Sequence, residues 1–204
     1  MQRRHFLNAA LGLTAGTAAG MHGLPAQAAG SWRMPDEGER HSATWMAFGA
    51  SDDVWGKRLK SGAQATLARI AQAIASVEPV HMLVNEEDYD LAARLCGNKV
   101  KLVVQPIDDL WMRDTGPVFV KGAGGALAGV NFNFNGWGEK QDYEDDALVA
   151  GFVAGRAGVP VLASSLVLEG GGIEVDGHGT AIITESCVLN ANRNPGVGKA
   201  QCEK

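Results

Sequence analysis

Cysteine is scarce and unpatterned in this chain. Cys96, Cys187 and Cys202 are its three cysteines, an odd number with no close spacing. That excludes a disulfide framework and the paired-thiol pattern of a zinc site, although two of them could still pair in an oxidising compartment. Basic clusters are missing as well. Lys and Arg number 18 against 23 acidic residues, a formal charge of −5, which argues against nucleic acid as the main partner. There is no P-loop. The glycine-rich run Gly122-Ala123-Gly124-Gly125 does not satisfy the dinucleotide fingerprint, because its third glycine is displaced and a hairpin, not a helix, is expected to follow. No metal-ligand spacing occurs, so neither a cofactor nor a metal is expected. No low-complexity linker divides the sequence, which reads as one domain. The weakly apolar, Ala/Gly-rich stretch over residues 9–20 falls short of the ~20 residues that cross a bilayer.

What is present begins with an address. Arg3-Arg4-His5-Phe6-Leu7 has the twin-arginine pattern, and Pro25-Ala26-Gln27-Ala28 supplies small residues for cleavage after Ala28. Residues 1–28 are therefore expected to be a twin-arginine signal peptide. Residues 29–204 would be the exported domain, periplasmic or secreted, with no membrane attachment once the signal is removed. Losing the signal takes two arginines and no acids, leaving 16 basic against 23 acidic residues and a charge of −7. An acidic surface of this kind is compatible with a small cationic partner.

Periodicity outlines an α/β or α+β chain. Strands are expected over residues 41–48, 80–84 and 99–105. A hairpin is expected over 117–121 and 127–132 across the turn 122–125, and shorter strands over 161–163, 166–168, 173–176 and 181–184. Leu67, Ile70, Ala71 and Ile74 fall at helical spacing and predict a helix over 62–76. Two more are predicted over 86–95 and 145–157.

The most informative stretch follows the third strand: Asp108-Asp109-Leu110-Trp111-Met112-Arg113-Asp114-Thr115-Gly116-Pro117. Carboxylates, an indole and an arginine are packed into ten residues. These groups suit a flat cation, because carboxylate oxygens accept paired N–H donors from a guanidinium and an indole face attracts the same charge.

This segment resembles the motif of the agmatine deiminase and bacterial-type peptidylarginine deiminase family, part of the guanidine-modifying (pentein) superfamily. Met34-Pro35-Asp36-Glu37 with His41 and Thr44-Trp45-Met46 is similar to the family's opening. Asn133-Phe134-Asn135-Gly136-Trp137-Gly138 is similar to its middle. Leu168-Glu169-Gly170-Gly171-Gly172 and Asn190-Ala191-Asn192-Arg193-Asn194-Pro195-Gly196 are similar to its later part. The resemblance implies a five-bladed α/β propeller of ββαβ-like modules around a pseudo-fivefold axis, of which this chain would hold about three. It implies hydrolysis of agmatine to N-carbamoylputrescine and ammonia, with no cofactor. Peptidyl or free arginine is the alternative substrate, and a non-catalytic binder of arginine-like cations the alternative class. The family's Gly-His-x-Asp motif and late nucleophilic cysteine are not found, so the chain reads as an N-terminal, inactive part of a longer protein. Ala47-Phe48-Gly49 stands where many agmatine-specific members have a Trp-Pro pair.

Carried onto these positions, the resemblance makes Asp114 a carboxylate that binds the substrate guanidinium. The plain alternative is an aspartate that caps a turn or pairs with Arg113. Glu169 would accept a hydrogen bond from the catalytic histidine, or simply end a strand. Trp111 and Trp137 would contact substrate or fill the core. Arg113 is expected to order the loop, and Asp108 and Asp109 to be a solvated pair. Glu174 could be a second acid or face solvent. Cys187 and His178 make a tempting pair but not the expected dyad.

Overall fold

A computed structural model describes residues 32–203. The signal peptide expected over residues 1–28 lies outside the described residues.

Thr44–Ala47 (β1), Val80–Val84 (β2) and Val100–Val104 (β3) form a parallel sheet in the order β1-β2-β3. Val80, Met82 and Val84 of β2 enter one core and Leu83 the other. A strand that is apolar on both sides marks the buried centre of a parallel sheet. Parallel neighbours need crossover connections. Here they are Asp52–Ile74 (α1) and, after a 3-10 turn at Glu86–Asp88, Tyr89–Cys96 (α2). Both helices cover the same face. Small residues Ala68, Ala71 and Ala92 let them approach Phe48 and Met82 closely.

The first helix starts ten residues before the expected position, at Asp52 rather than 62. Ser51 caps it by accepting the Val54 N–H at 3.3 Å, and Asp52 and Asp53 sit where the helix dipole favours acids. Apolar spacing reveals only the part of α1 that lies on the sheet. Its first turns, kinked at Gly56 (φ +66°), reach the loop after β3 instead.

Met112–Thr115 (α3) is a single turn in that loop. Val118–Lys121 (β4) and Leu127–Asn131 (β5) make the expected hairpin. After a short turn at Gly136–Glu139 (α4), Asp146–Ala157 (α5) leads to Val161–Ala163 (β6), which pairs parallel with β5. This is a ββαβ unit. Val149 and Val153 of α5 pack with Ala47, Leu83, Val103 and Ile107, so the second core joins α5 to the free face of the first sheet. Ile173–Val175 (β7) and Ala181–Ile183 (β8) form a third, two-stranded sheet. Single turns at Glu185–Val188 (α6) and Lys199–Cys202 (α7) follow. The three sheets do not merge into one.

Residues 166–168 form no strand, contrary to expectation, and Leu166 lies in a bend. Val167 pairs with a side chain instead. Its N–H donates to Asn194 Oδ1 at 2.9 Å and its carbonyl accepts from Asn194 Nδ2 at 2.8 Å. A carboxamide offers the same donor and acceptor as a peptide group, so it replaces a neighbouring strand. All three cysteines are free, with Cys96 buried in the first core.

Candidate functional site

The loop after β3 is fixed at its entrance by Asn85, whose side chain donates to the Ile107 carbonyl at 3.0 Å and accepts the Ile107 N–H at 2.9 Å. Asp108 and Asp109 are not the solvated pair the sequence suggested. The Asp108 carboxylate accepts the N–H groups of Asp145 and Asp146 at 2.9 and 3.0 Å, at the start of α5. In return, buried Asp146 accepts the Asp108 N–H at 3.1 Å. Asp109 is 3% exposed. Its Oδ1 accepts the Trp55 indole and the Leu110 N–H, both at 2.8 Å, and its Oδ2 the Trp111 indole at 2.9 Å. Helix-terminal and indole donors consume these carboxylates because the loop is folded inward over α1 and α5, a tertiary event that local composition does not report.

Asp114, in α3, is part-buried. Gly171 N–H donates to its Oδ1 at 3.1 Å and Trp137 Nε1–H to its Oδ2 at 3.3 Å. Burial pushes the Asp114 carboxyl above its ordinary range and the Glu169 charge adds to the rise, while the two donors and Arg113 oppose it. Arg113 is not its partner in a salt bridge. The Arg113 guanidinium forks onto Glu37 at 2.8 and 2.5 Å, which ties the loop to the residues before β1.

Glu169 is buried, at 4% exposure, and ion-pairs with Arg193, whose Nε donates to Oε1 at 2.8 Å. Its other oxygen, Oε2, is buried with no hydrogen-bond partner among the described residues. The tight turn Gly170–Gly172 connects Glu169 to Asp114. A Cβ at Gly170 would lie 2.5 Å from the Arg113 carbonyl, and one at Gly171 would overlap the Asp114 carboxylate. Close approach, rather than an unusual φ, requires glycine at both positions.

Trp137 holds a left-handed backbone (φ +56°, ψ +35°), a conformation costing about 1–3 kcal/mol for a non-glycine residue. It is kept there by Asn135, which accepts the Gly138 N–H at 2.9 Å, and by the Phe134 ring, 4.9 Å away edge-on. Trp111 meets Trp137 edge-on at 6.0 Å and stacks on Trp55 at 6.3 Å. Trp111 is 41% exposed, so the row reaches solvent close to Asp114, whose N–H donates to the Trp111 carbonyl at 2.8 Å.

Thus Asp114, Trp111, Trp137 and Glu169 come together, from α3, the turns around it and the glycine turn. Glu174 and His178 are exposed on the third sheet, and the Cys187 thiol accepts the Thr184 hydroxyl at 3.0 Å. Phe48 is wholly buried in the first core and lines nothing. Asp109, Trp55 and Arg193 escaped the sequence reading. Arg193 stood in a quoted motif, but its pairing with Glu169 depends on residues 24 apart. A separate cavity of about 1190 Å³ lies behind Arg113, lined by Glu37, Glu39, His41 and Glu78 among others, and includes neither Asp114 nor Glu169. Several of its charges are matched, by the pairs Glu37–Arg113, Glu39–Lys121 and Glu78–His41.

A sequence profile of the Porphyromonas-type peptidyl-arginine deiminases matches residues 33–204. An agmatine deiminase of Stutzerimonas stutzeri is 42% identical over 178 residues, 83% of this chain and 48% of that protein. That of Pseudomonas aeruginosa is 39% identical over 183 residues, 86% of this chain and 50% of its own length. The solved agmatine deiminase of Enterococcus faecalis superimposes with a TM-score of 0.79 at 31% identity, covering 84% of this chain and 48% of that one. The chain spans about half the length of the curated relatives it matches. It belongs to the family of agmatine deiminases and Porphyromonas-type peptidyl-arginine deiminases.

Proposed function

We propose that the complete protein is an exported guanidine deiminase that hydrolyses agmatine to N-carbamoylputrescine and ammonia. The reading rests chiefly on the convergence of Asp114 and Glu169, joined through the Gly171 N–H, with one buried glutamate oxygen facing no donor among the described residues. Asp114 accepts two N–H groups of the guanidinium, and the exposed face of Trp111 covers the cation. Glu169 Oε2 accepts the ring N–H of a histidine, which orients that ring and raises its basicity.

The chemistry follows from guanidinium being resonance-stabilised and a poor electrophile. Holding its carbon in line with a thiolate removes much of the entropic barrier. Sulfur adds to the carbon, the histidine protonates the departing nitrogen, and ammonia leaves behind an amidino-thioether. Water, deprotonated by the same histidine, adds next. The thiolate leaves and the ureido product forms. Nucleophile and base belong to other parts of the complete protein, arranged with these sheets in a five-bladed propeller to which this chain contributes about three modules. The ββαβ unit β4-β5-α5-β6 supports that arrangement. The 204-residue chain alone is inactive under this reading, which gives the nucleophile's role to none of Cys96, Cys187 and Cys202.

A second reading, deimination of peptidyl or free arginine, is favoured by the twin-arginine pattern at Arg3-Arg4, because putrescine synthesis is ordinarily cytoplasmic. The test is release of ammonia and ureido product by the full-length protein on agmatine, free arginine and arginine peptides. Turnover that survives Asp114→Ala rules out the assigned binding role. Periplasmic recovery that persists after both Arg3 and Arg4 are replaced by lysine rules out the export route.

A further inference from the structure

Asp109 is a buried carboxylate that accepts from two indoles and from the Leu110 N–H. Trp55 Nε1–H and Trp111 Nε1–H reach it at 2.8 and 2.9 Å, one on each oxygen. The two indoles are 54 and 2 residues away in sequence, so this contact joins the start of α1 to the loop carrying Asp114. The rings stack with centroids 6.3 Å apart and planes 24° apart. Gly49, just after β1, presses on the same point, since a Cβ there would overlap the Asp109 carbonyl. Two segments thus close on the Asp109 side chain and a third on its backbone.

We infer that Asp109 is a positioning residue, and that Trp55, clamped with Trp111 by its two oxygens, extends the aromatic wall of the guanidinium site. The inference deepens the proposed function and rests on that reading for the identity of the cation. An isolated exposed indole turns about two side-chain torsions. Trp111 is 41% exposed, so packing alone does not enclose it. The hydrogen bond to Asp109 removes that freedom before substrate arrives, so less ordering is needed on binding. An N–H donated to a carboxylate also polarises the indole, which makes its face more attractive to a cation. Edge-on contact at 6.0 Å passes the orientation on to Trp137, the ring that donates to Asp114. Asp109 therefore acts on the guanidinium through the rings and not by contact.

Asparagine at 109 has the same shape but one acceptor oxygen. Whichever way it turns, its NH2 group meets an indole N–H and one ring is released. The experiment uses the 204-residue chain, with Trp55→Phe and Trp111→Phe as references that lose one indole each. Near-ultraviolet circular dichroism reads the stack, indole N–H exchange by NMR reads the clamp, and agmatine titration reads the site. The expected result for Asp109→Asn is unchanged far-ultraviolet dichroism, loss of the stacking signal seen in both references, and agmatine binding weakened about tenfold. Wild-type near-ultraviolet dichroism and wild-type agmatine affinity in a folded Asp109→Asn chain would overturn the inference. Should that variant not fold, exchange in the wild type decides: slow exchange of both the Trp55 and Trp111 N–H supports the clamp, and exchange as fast as a free indole overturns it. Agmatine failing to bind the complete protein counts against the deiminase reading, while the dichroism and exchange still decide the clamp.

Discussion

Gly171 donates its backbone N–H to Asp114 Oδ1 at 3.1 Å, and its missing side chain is what allows the approach, because a Cβ there would occupy the space of that carboxylate. Gly171→Ala is expected to displace Asp114 rather than to break the turn. Overpacking of this kind costs about 1–3 kcal/mol, read by urea denaturation, and guanidinium affinity should fall with it. Unaltered agmatine binding by a folded Gly171→Ala chain would show that the Asp114 position is not used.

Breaking the Glu169–Arg193 pair should cost more than removing it. Arg193→Met leaves a buried carboxylate without its cation, a loss of about 3–5 kcal/mol. Adding Glu169→Leu should recover most of that loss, so the double mutant ends close to wild type. Equal and additive losses from the two changes would mean the pair carries no coupling.

Asp146 gives the fold a pH dependence. Burial pushes its carboxyl up to about 7, against about 3.9 in an unfolded chain. Between those values the unfolded state ionises while the folded state keeps its proton, so stability falls as pH rises through that window and levels off above 7. Asp146→Asn keeps an oxygen for the Asp108 N–H and has nothing to titrate. Its stability relative to wild type should grow from pH 4 to 7, by at most about 4 kcal/mol. Parallel stability curves for the two proteins would contradict this.

Trp137 stabilises the ionised form of Asp114 through its indole N–H. Trp137→Phe keeps a ring against Phe134 and Trp111 but loses that donor. The Asp114 carboxyl, already raised by burial, is expected to titrate higher still. Carboxyl NMR titration would show it, and a downward shift would refute it.

Much of the scaffold was legible from the sequence. The apolar run of β2, the helical spacing at Leu67, Ala71 and Ile74, and the hairpin around Gly122 to Gly125 each depend on neighbours in the chain. So does the placement of Asp114 in a turn between a strand and Gly116-Pro117. The sequence misjudged residues whose partners are remote. Asp108 and Asp109 looked solvated because two adjacent acids usually are, yet one caps α5 and the other holds two indoles. Residues 166–168 looked like a strand because a short apolar run reads the same whether its backbone bonds to a strand or, as at Val167, to the Asn194 side chain. The early start of α1 was missed because its first turns face a loop rather than the sheet.

By itself, then, the sequence determined the order of the main strands and helices outside residues 166–168, the family likeness and the candidates Asp114, Glu169, Trp111 and Trp137. Those follow from local spacing and from residue types within a few positions. Tertiary structure alone decided which donors those acids accept, that Arg193 neutralises Glu169, and that Trp55 joins the aromatic row from more than fifty residues away. Hydrogen bonds and ring contacts act over a few ångströms in space, and only the folded backbone sets which distant residues fall within that reach.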